Sequence, residues 1–419
     1  MRRTVTIVTF MSLSSLASVV PGKAQDEYDD LPTMNFEIQR LARLGGDNAS
    51  WARLPQLDNE ATRTAGGNVI LYLFIGKGTS ARPRANILVT GTLHAREWVA
   101  YRCVLDVARF IVFRLRSSSW PADSRFDHFR KFKEMNISDL SDNAVFYFVP
   151  IVNPDGYDYS FNNDGINSAG GWRKSRRDTA ADPPGNGINW GDNVTPGVDL
   201  NRSFPVTSAL DPTSEWGYVG LRGGVQVRTS RRRTDEVYCG RPQGGSWGPP
   251  PGGGHSPILE KETEGIVTLS RDVAFSAHID IHSYSGIVGW VETPFANDRL
   301  RFNGGFNDRE VFQILAAKAA DMIQDPNGSK YEPQDSPYPT SGEILAFQYE
   351  KTAGKCLSML IEVGKRAVFN PDSATAHSNA VLPGQLFIMF AAVDKSFSSN
   401  PIPSFRKPGS ALKPPSVPD

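Results

Sequence analysis

The stretch Ile87-Leu-Val-Thr-Gly-Thr-Leu-His94-Ala-Arg96-Glu97-Trp98 changes period part-way along. Ile87 to Val89 is a short apolar run bounded by Thr and Gly, the pattern of a buried strand. From Trp98 the apolar residues return at helical spacing, through Leu105, Val107, Phe110 and Ile111 to Leu115. A strand feeding directly into a helix is the repeating unit of an α/β fold. Three more apolar runs behave like the first: Val145 to Val149, Phe275 to Ile281 and Leu357 to Ile361. Helical patterns also cover Glu260 to Leu269 and Val311 to Ile323. Together they predict a mixed, mostly parallel twisted sheet with helices on both faces.

In such sheets chemistry collects beyond the carboxyl ends of the strands. The first run leads into His94, Arg96 and Glu97, and the second into Asn153-Pro-Asp-Gly-Tyr157. The third ends at His282-Ser-Tyr284 and the fourth at Glu362. One site assembled from distant segments accounts for all four endings.

His94 and Glu97 stand three apart at the start of a helix, which puts both side chains on one face, where they can share a metal. An imidazole and a carboxylate leave a zinc ion one protein ligand short of a catalytic His₂Glu set with an open position for water. Among His128, His255, His278, His282 and His377, only His282 closes an apolar strand, so it is the expected third ligand. His278, four residues earlier, reads as a core histidine with a local partner such as Asp280.

The chain has 419 residues, and 45 Lys+Arg balance 45 Asp+Glu, which argues against a nucleic-acid binder or a polybasic membrane module. With 39% hydrophobic residues it can bury a large core. Arg2 and Arg3 precede an apolar stretch, Val5 to Val20, and then small residues in Pro21-Gly22-Lys23-Ala24. That order predicts a signal peptide over 1–24 and a secreted, extracellular protein, with a buried N-terminal helix as the alternative. The acidic segment Asp26 to Asp30 then reads as a mature N-terminus. Past it, no run reaches the about 18 apolar residues of a membrane span. Residues 25–399 read as one catalytic domain and 400–419 as an extended Pro/Ser-rich tail. Asn48, Asn136, Asn193 and Asn327 open glycosylation sequons, while Asn201 opens one expected to be buried. Residues 161–199 and 206–256, dense in Gly, Pro and Arg, read as surface loops, including Arg231-Arg232-Arg233.

His94-Ala-Arg-Glu97, Asn153-Pro-Asp-Gly-Tyr157, Trp172-Arg173-Lys174, Val198-Asp-Leu-Asn201-Arg202, Ile281-His282-Ser-Tyr284, Tyr338-Pro-Thr-Ser-Gly342 and Ile361-Glu362 stand in a telling order. The ensemble resembles the zinc metallocarboxypeptidases of the carboxypeptidase A type, over about residues 30 to 397. The resemblance implies a sheet of about eight strands and one Zn²⁺ per chain, held by His94, Glu97 and His282. It makes Asp199 the carboxylate that orients the first histidine. Glu362 becomes the general base, and Arg173 the cation that stabilises the tetrahedral oxyanion. Asn201, Arg202 and Tyr338 would hold the substrate's terminal carboxylate, and Arg96 would contact substrate further from the cut. Leu345 would floor the side-chain pocket, implying preference for apolar or aromatic C-terminal residues. Glu343, the nearby acid, stands where relatives have glycine and is expected to face away.

Three departures stand against the family pattern. His94 lies too close to the expected cleavage site for an inhibitory prodomain. Residues 203 to 281 exceed the usual length. Cys103, Cys239 and Cys356 reproduce no family disulfide, and Cys103 and Cys356 read as small buried residues. The expectation is a monomeric exopeptidase acting on peptide and protein C-termini. Its rivals are an amidase or deacylase on the same scaffold, and a catalytically silent, zinc-stabilised binding protein. Asn201, Arg202 and Tyr338 oppose the first, and Glu362 and Arg173 the second.

Overall fold

The computed structural model describes residues 27–55, 63–76, 85–116, 137–163, 171–177, 179, 197–206, 221–222, 225–226, 236–239, 260–290, 308–335, 340, 342–351, 356–364 and 368–393. The expected signal peptide and tail, Arg231 to Arg233, Asn136, Asn193, His128, His255 and Tyr338 lie outside these residues.

Among the described residues eight strands form one sheet: β1 Ala49–Arg53, β2 Leu71–Ile75, β3 Ala85–Gly91, β4 Ala144–Val149, β7 Ala277–His282, β8 Ile287–Trp290, β9 Glu332–Asp335 and β10 Leu357–Glu362. A separate two-stranded ribbon joins β5 Leu221–Arg222 to β6 Val225–Gln226. The sheet order is β1-β2-β4-β3-β7-β10-β8-β9. Parallel pairing links β4 to β3, β3 to β7, β7 to β10 and β8 to β9, while the other neighbours run antiparallel. The mixed, mostly parallel sheet is the expected one.

Every residue of β7 is buried, which requires cover on both faces. Helix α2, Trp98–Arg116, packs on α8, Ala374–Val393, and both lie against β3 and β7. Helix α6, Asp308–Asp321, packs on α8, β8 and β9, and α7, Ile344–Lys351, packs on β10 and β7. α5, Lys261–Asp272, is tied to α7 by the Gln348 amide, which donates to Ser270 Oγ at 2.8 Å. α8 is long and apolar enough to cross a membrane, but here it is mostly buried in the core. Its composition follows from that place: a helix walled in all round needs no polar stripe.

α2 begins where the opening stretch predicts. Its first amide, Trp98 N, donates to Asn370 Oδ1 at 2.7 Å, so a distant side chain caps it. Trp98 is fully buried, its indole N–H donates to Ser160 Oγ, and its ring meets Tyr28, Tyr157 and Phe161. Each such side chain contributes about 1.5–3 kcal/mol by burial, which fixes the helix against α4 (Pro154–Asn163); α1 (Leu31–Gly45) and α3 (Ile137–Asn143) pack on it as well. Asp30, expected only as part of an acidic mature N-terminus, caps α1 by accepting from Thr33 N at 2.9 Å.

The strand order reverses at β3. From β3 the chain crosses to β4 on one side, and β7 lies on the other. The crevice at the carboxyl ends of β3 and β7 is therefore where a site belongs.

Candidate metal centre and active site

Chain direction brings the residues together. β3, β7 and β10 run parallel, so the segments following all three emerge at one edge. His282 and Glu362 are register partners at the ends of β7 and β10. His94 and Glu97 follow β3 within a turn that opens α2.

The side chains of His94, Glu97 and His282 are buried, and their candidate ligand atoms lie within 4.8 Å of one another. His94 Nδ1 is 2.8 Å from Glu97 Oε1, His282 Nδ1 is 2.8 Å from Glu97 Oε2, and the two Nδ1 atoms are 3.0 Å apart. The opposite nitrogens each face a carboxylate: His94 Nε2 is 3.2 Å from Asp199 Oδ1, and His282 Nε2 is 2.7 Å from Asp280 Oδ2. A carboxylate behind each ring favours the proton on Nε2, so in the neutral form both Nδ1 lone pairs point inward. Two lone pairs and a carboxylate converging on one point repel unless a cation sits among them. Zinc bound at about 2.0–2.1 Å would hold tetrahedral ligand atoms about 3.3 Å apart, close to the spacing here. The donor set fits zinc.

Behind the centre, Asp199 also accepts from the Arg173 guanidinium at 2.8 and 3.0 Å and from Asn201 N at 3.0 Å. Burial opposes its charge, but Arg173, Arg202 and His94 hold its carboxyl well below the ordinary range. Burial opposes charge on Glu97 too, and the two histidines outweigh it, so that carboxyl is also lowered. Burial would depress His282, but Asp280 and Glu97 raise it well above the usual imidazole value.

Arg173 Nη1 stands 3.9 Å from Glu97 Oε1, which puts the guanidinium at the rim of the centre. Glu362 lines the same cleft, half-buried, and its Oε2 has no hydrogen-bond partner among the described residues. Burial, then the neighbouring Glu97 charge, pushes its carboxyl up to about 8.

The cleft encloses about 430 Å³. His94, Glu97, His282, Arg173, Asn201, Arg202, Arg96, Leu345 and Glu362 all line it, and Asp199 stands directly behind. Asn201 is 7% exposed, in keeping with a sequon lost to the interior, whereas Asn327 is exposed and Asn48 half-buried. Arg96 donates to Glu236 and lies over the Phe369 ring at 4.3 Å.

Several expectations need correcting. Glu343 does not face away; it lines the cleft and accepts from Arg202 Nη1 at 3.3 Å. His278 is not held by Asp280, but by Thr90 at 2.8 Å and Ser358 at 3.1 Å. Asp280 serves His282 instead; the strand's period puts His278, Asp280 and His282 on one face and does not choose between the two histidines. Residues 171–177 and 197–199 are no surface loop, since Lys174, Ser175 and Val198 are buried where they carry Arg173 and Asp199. The Asn153-Pro-Asp-Gly-Tyr157 stretch clasps the loops around the site. Asn153 Nδ2 donates to Leu93 O and Lys174 O at 3.1 Å, and Asp155 accepts from Thr64, Gly66 and Asn68. The three cysteines are buried, Cys239 among them.

The zinc carboxypeptidase family model matches residues 55–379. The chain belongs to the zinc carboxypeptidase family. It is 26% identical over 249 residues to a protein named inactive metallocarboxypeptidase ECM14 from Paracoccidioides lutzii, covering 59% of this chain and 32% of that one. It is 25% identical over 262 residues to human carboxypeptidase O, covering 62% of this chain and 51% of that one. These matches span about a third and about half of the relatives' lengths. Carboxypeptidase A from Helicoverpa armigera shares the fold, with TM-score 0.61 at 18% identity, over 89% of this chain and 75% of that one. The family of this zinc carboxypeptidase implies zinc, and the His-Glu-His centre meets that requirement.

Proposed function

We infer that this zinc carboxypeptidase is an active exopeptidase that removes one residue from the C-terminus of peptides and proteins, with preference for apolar or aromatic terminal residues. The observation that carries the reading is Glu362 facing the His94–Glu97–His282 centre across one cleft, with no protein partner on Oε2 among the described residues. One zinc held by those three residues would polarise the scissile carbonyl and acidify water. Glu362 takes the proton of the attacking water and delivers it to the leaving amine nitrogen. Arg173, steered by Asp199, donates to the oxyanion. Arg202, Asn201 and Tyr338 hold the terminal carboxylate, for which a planar guanidinium is suited. Ile344 N donates to Asn201 Oδ1, which leaves the amide nitrogen turned to donate. Arg96 contacts substrate further from the cut.

The preference for apolar ends rests on the cleft wall of Leu345, Leu360, Ile287 and Trp290. A cationic side chain buried against that apolar wall would lose its hydration without compensation. Residues 1–24 serve as a signal peptide, 25–399 as the catalytic domain and 400–419 as a tail, in a secreted monomer without a membrane span or nucleic-acid partner.

A second reading, a silent zinc-binding protein, draws support from the fungal relatives named inactive. Hydrolysis of matched blocked dipeptides ending in Phe, Leu, Lys, Arg and Glu by zinc-loaded protein separates the two. The expected order puts Phe and Leu first. No hydrolysis of any of them, with zinc bound, establishes the silent reading instead.

A further inference from the structure

We propose that Glu343 is a built-in competitor for the substrate's terminal carboxylate: it holds Arg202 in an ion pair that an incoming C-terminus must displace. This rests on the assignment of Arg202 to that carboxylate made above. Arg202 Nη1 lies 3.3 Å from Glu343 Oε1, with side-chain exposures of 2% and 14%. The arginine is thus enclosed, and both side chains line the cleft.

The backbone fixes this meeting. Gly342 has φ 78° and runs flush against Arg202, where an added Cβ would stand 2.2 Å from Arg202 O. Phe204 N donates to Gly342 O at 3.0 Å, and Ile344 N donates to Asn201 Oδ1 at 3.0 Å. Glu343 is therefore the middle residue of a segment stitched on both sides to 201–204. It leaves Arg202 by rotating its side chain, not by moving the loop.

A carboxylate that docks on Arg202 must exchange with one already there, so much of its charge-assisted attraction is offset by the pair it breaks. An amide-terminated ligand, lacking the charge, has little to gain from the exchange. Glu343 thereby narrows the discrimination between free and amidated C-termini that a lone guanidinium would give. Removing its charge restores that discrimination.

The test is calorimetric binding of N-acetyl-L-phenylalanine, N-acetyl-L-phenylalaninamide and N-acetyl-L-lysine to the zinc-loaded wild type, Glu343→Gln and Glu343→Ala. Zinc content and melting temperature establish that each variant is folded, and either folded variant suffices. The free acids are expected to bind about tenfold more tightly or better to the variants, and the amide about equally to all three. Unchanged or weaker binding of the acids overturns the proposal. So does a loss confined to N-acetyl-L-lysine, which would make Glu343 a partner for cationic side chains. The readout does not depend on turnover. Tighter acid binding in variants of a protein that cleaves nothing keeps this inference and ends the exopeptidase reading.

Discussion

Each histidine of the candidate metal centre is steadied by a carboxylate behind it, Asp199 for His94 and Asp280 for His282. Such outer partners fix the tautomer and make the ring a better donor. Asp280→Asn is therefore expected to weaken zinc binding about 10–100-fold, measured by competition with a chromogenic chelator. Unaltered affinity would sink the assigned role. Glu362→Gln acts differently, because its amide can accept a hydrogen bond but not a proton. Zinc content should hold while turnover falls by about 10²–10⁴-fold or more, and near-normal activity would reject Glu362 as the base. The meeting of His94, Glu97, His282 and Glu362 in one cleft was legible because chemistry and strand endings coincide there. Asp280 was assigned to the wrong histidine because it stands two residues from both His278 and His282, so the period of the strand does not separate them. Glu343 was misplaced because its direction follows from Gly342 packing on Arg202, a contact between segments that local pattern does not record.

At the scale of elements, β3, β4 and β10 declared themselves because buried parallel strands read as largely apolar runs, and β7 through the apolar positions that alternate with His278, Asp280 and His282. β1 and β9 did not: they are edge strands, Ala-Ser-Trp-Ala-Arg with exposed positions and Glu-Pro-Gln-Asp with none buried. Charges and proline suit an edge, and they erase the strand signal. α8 was missed for the opposite reason, since a helix buried almost all round shows no amphipathic period. The junction that matters most is the entry to α7, where Gly342 abuts the 201–204 segment. Gly342→Ala would add a Cβ at positive φ against Arg202 O. It should cost about 1–3 kcal/mol in denaturant unfolding and weaken binding of free-acid ligands as Arg202 shifts. A variant with wild-type stability and binding would show that this contact does not fix the cleft.

Stability of the whole molecule should depend on pH through buried groups on opposite limbs, and two of them, His278 and Glu262, stand outside the His94–Glu97–His282 centre. His278 is enclosed between Thr90 and Ser358, and burial lowers its ring from 6.5 to about 4. Between those values the unfolded chain binds a proton that the native chain refuses, so stability rises with pH across that window. The full effect is on the order of 3 kcal/mol. Glu262 behaves oppositely: burial, then the Glu260 charge, raises its carboxyl, and its Oε1 has no partner among the described residues. Here the native chain keeps a proton that the unfolded chain has released. Its contribution is complete below the ordinary glutamate value and is lost as pH rises through the raised one. The zinc-free protein should therefore be most stable at intermediate pH, with unfolding free energy falling on both sides. Denaturant titrations of metal-free wild type from pH 4 to 9, with His278→Gln and Glu262→Gln alongside, isolate the two limbs. His278→Gln should lessen the acid-side slope and leave the alkaline one, and Glu262→Gln should do the reverse. If both variants keep the wild-type profile, the pH dependence arises elsewhere. Saturating zinc should raise the whole curve, since an ion bound only by the native state stabilises by mass action. That gain should shrink toward acid pH, where protons compete for His94, Glu97 and His282.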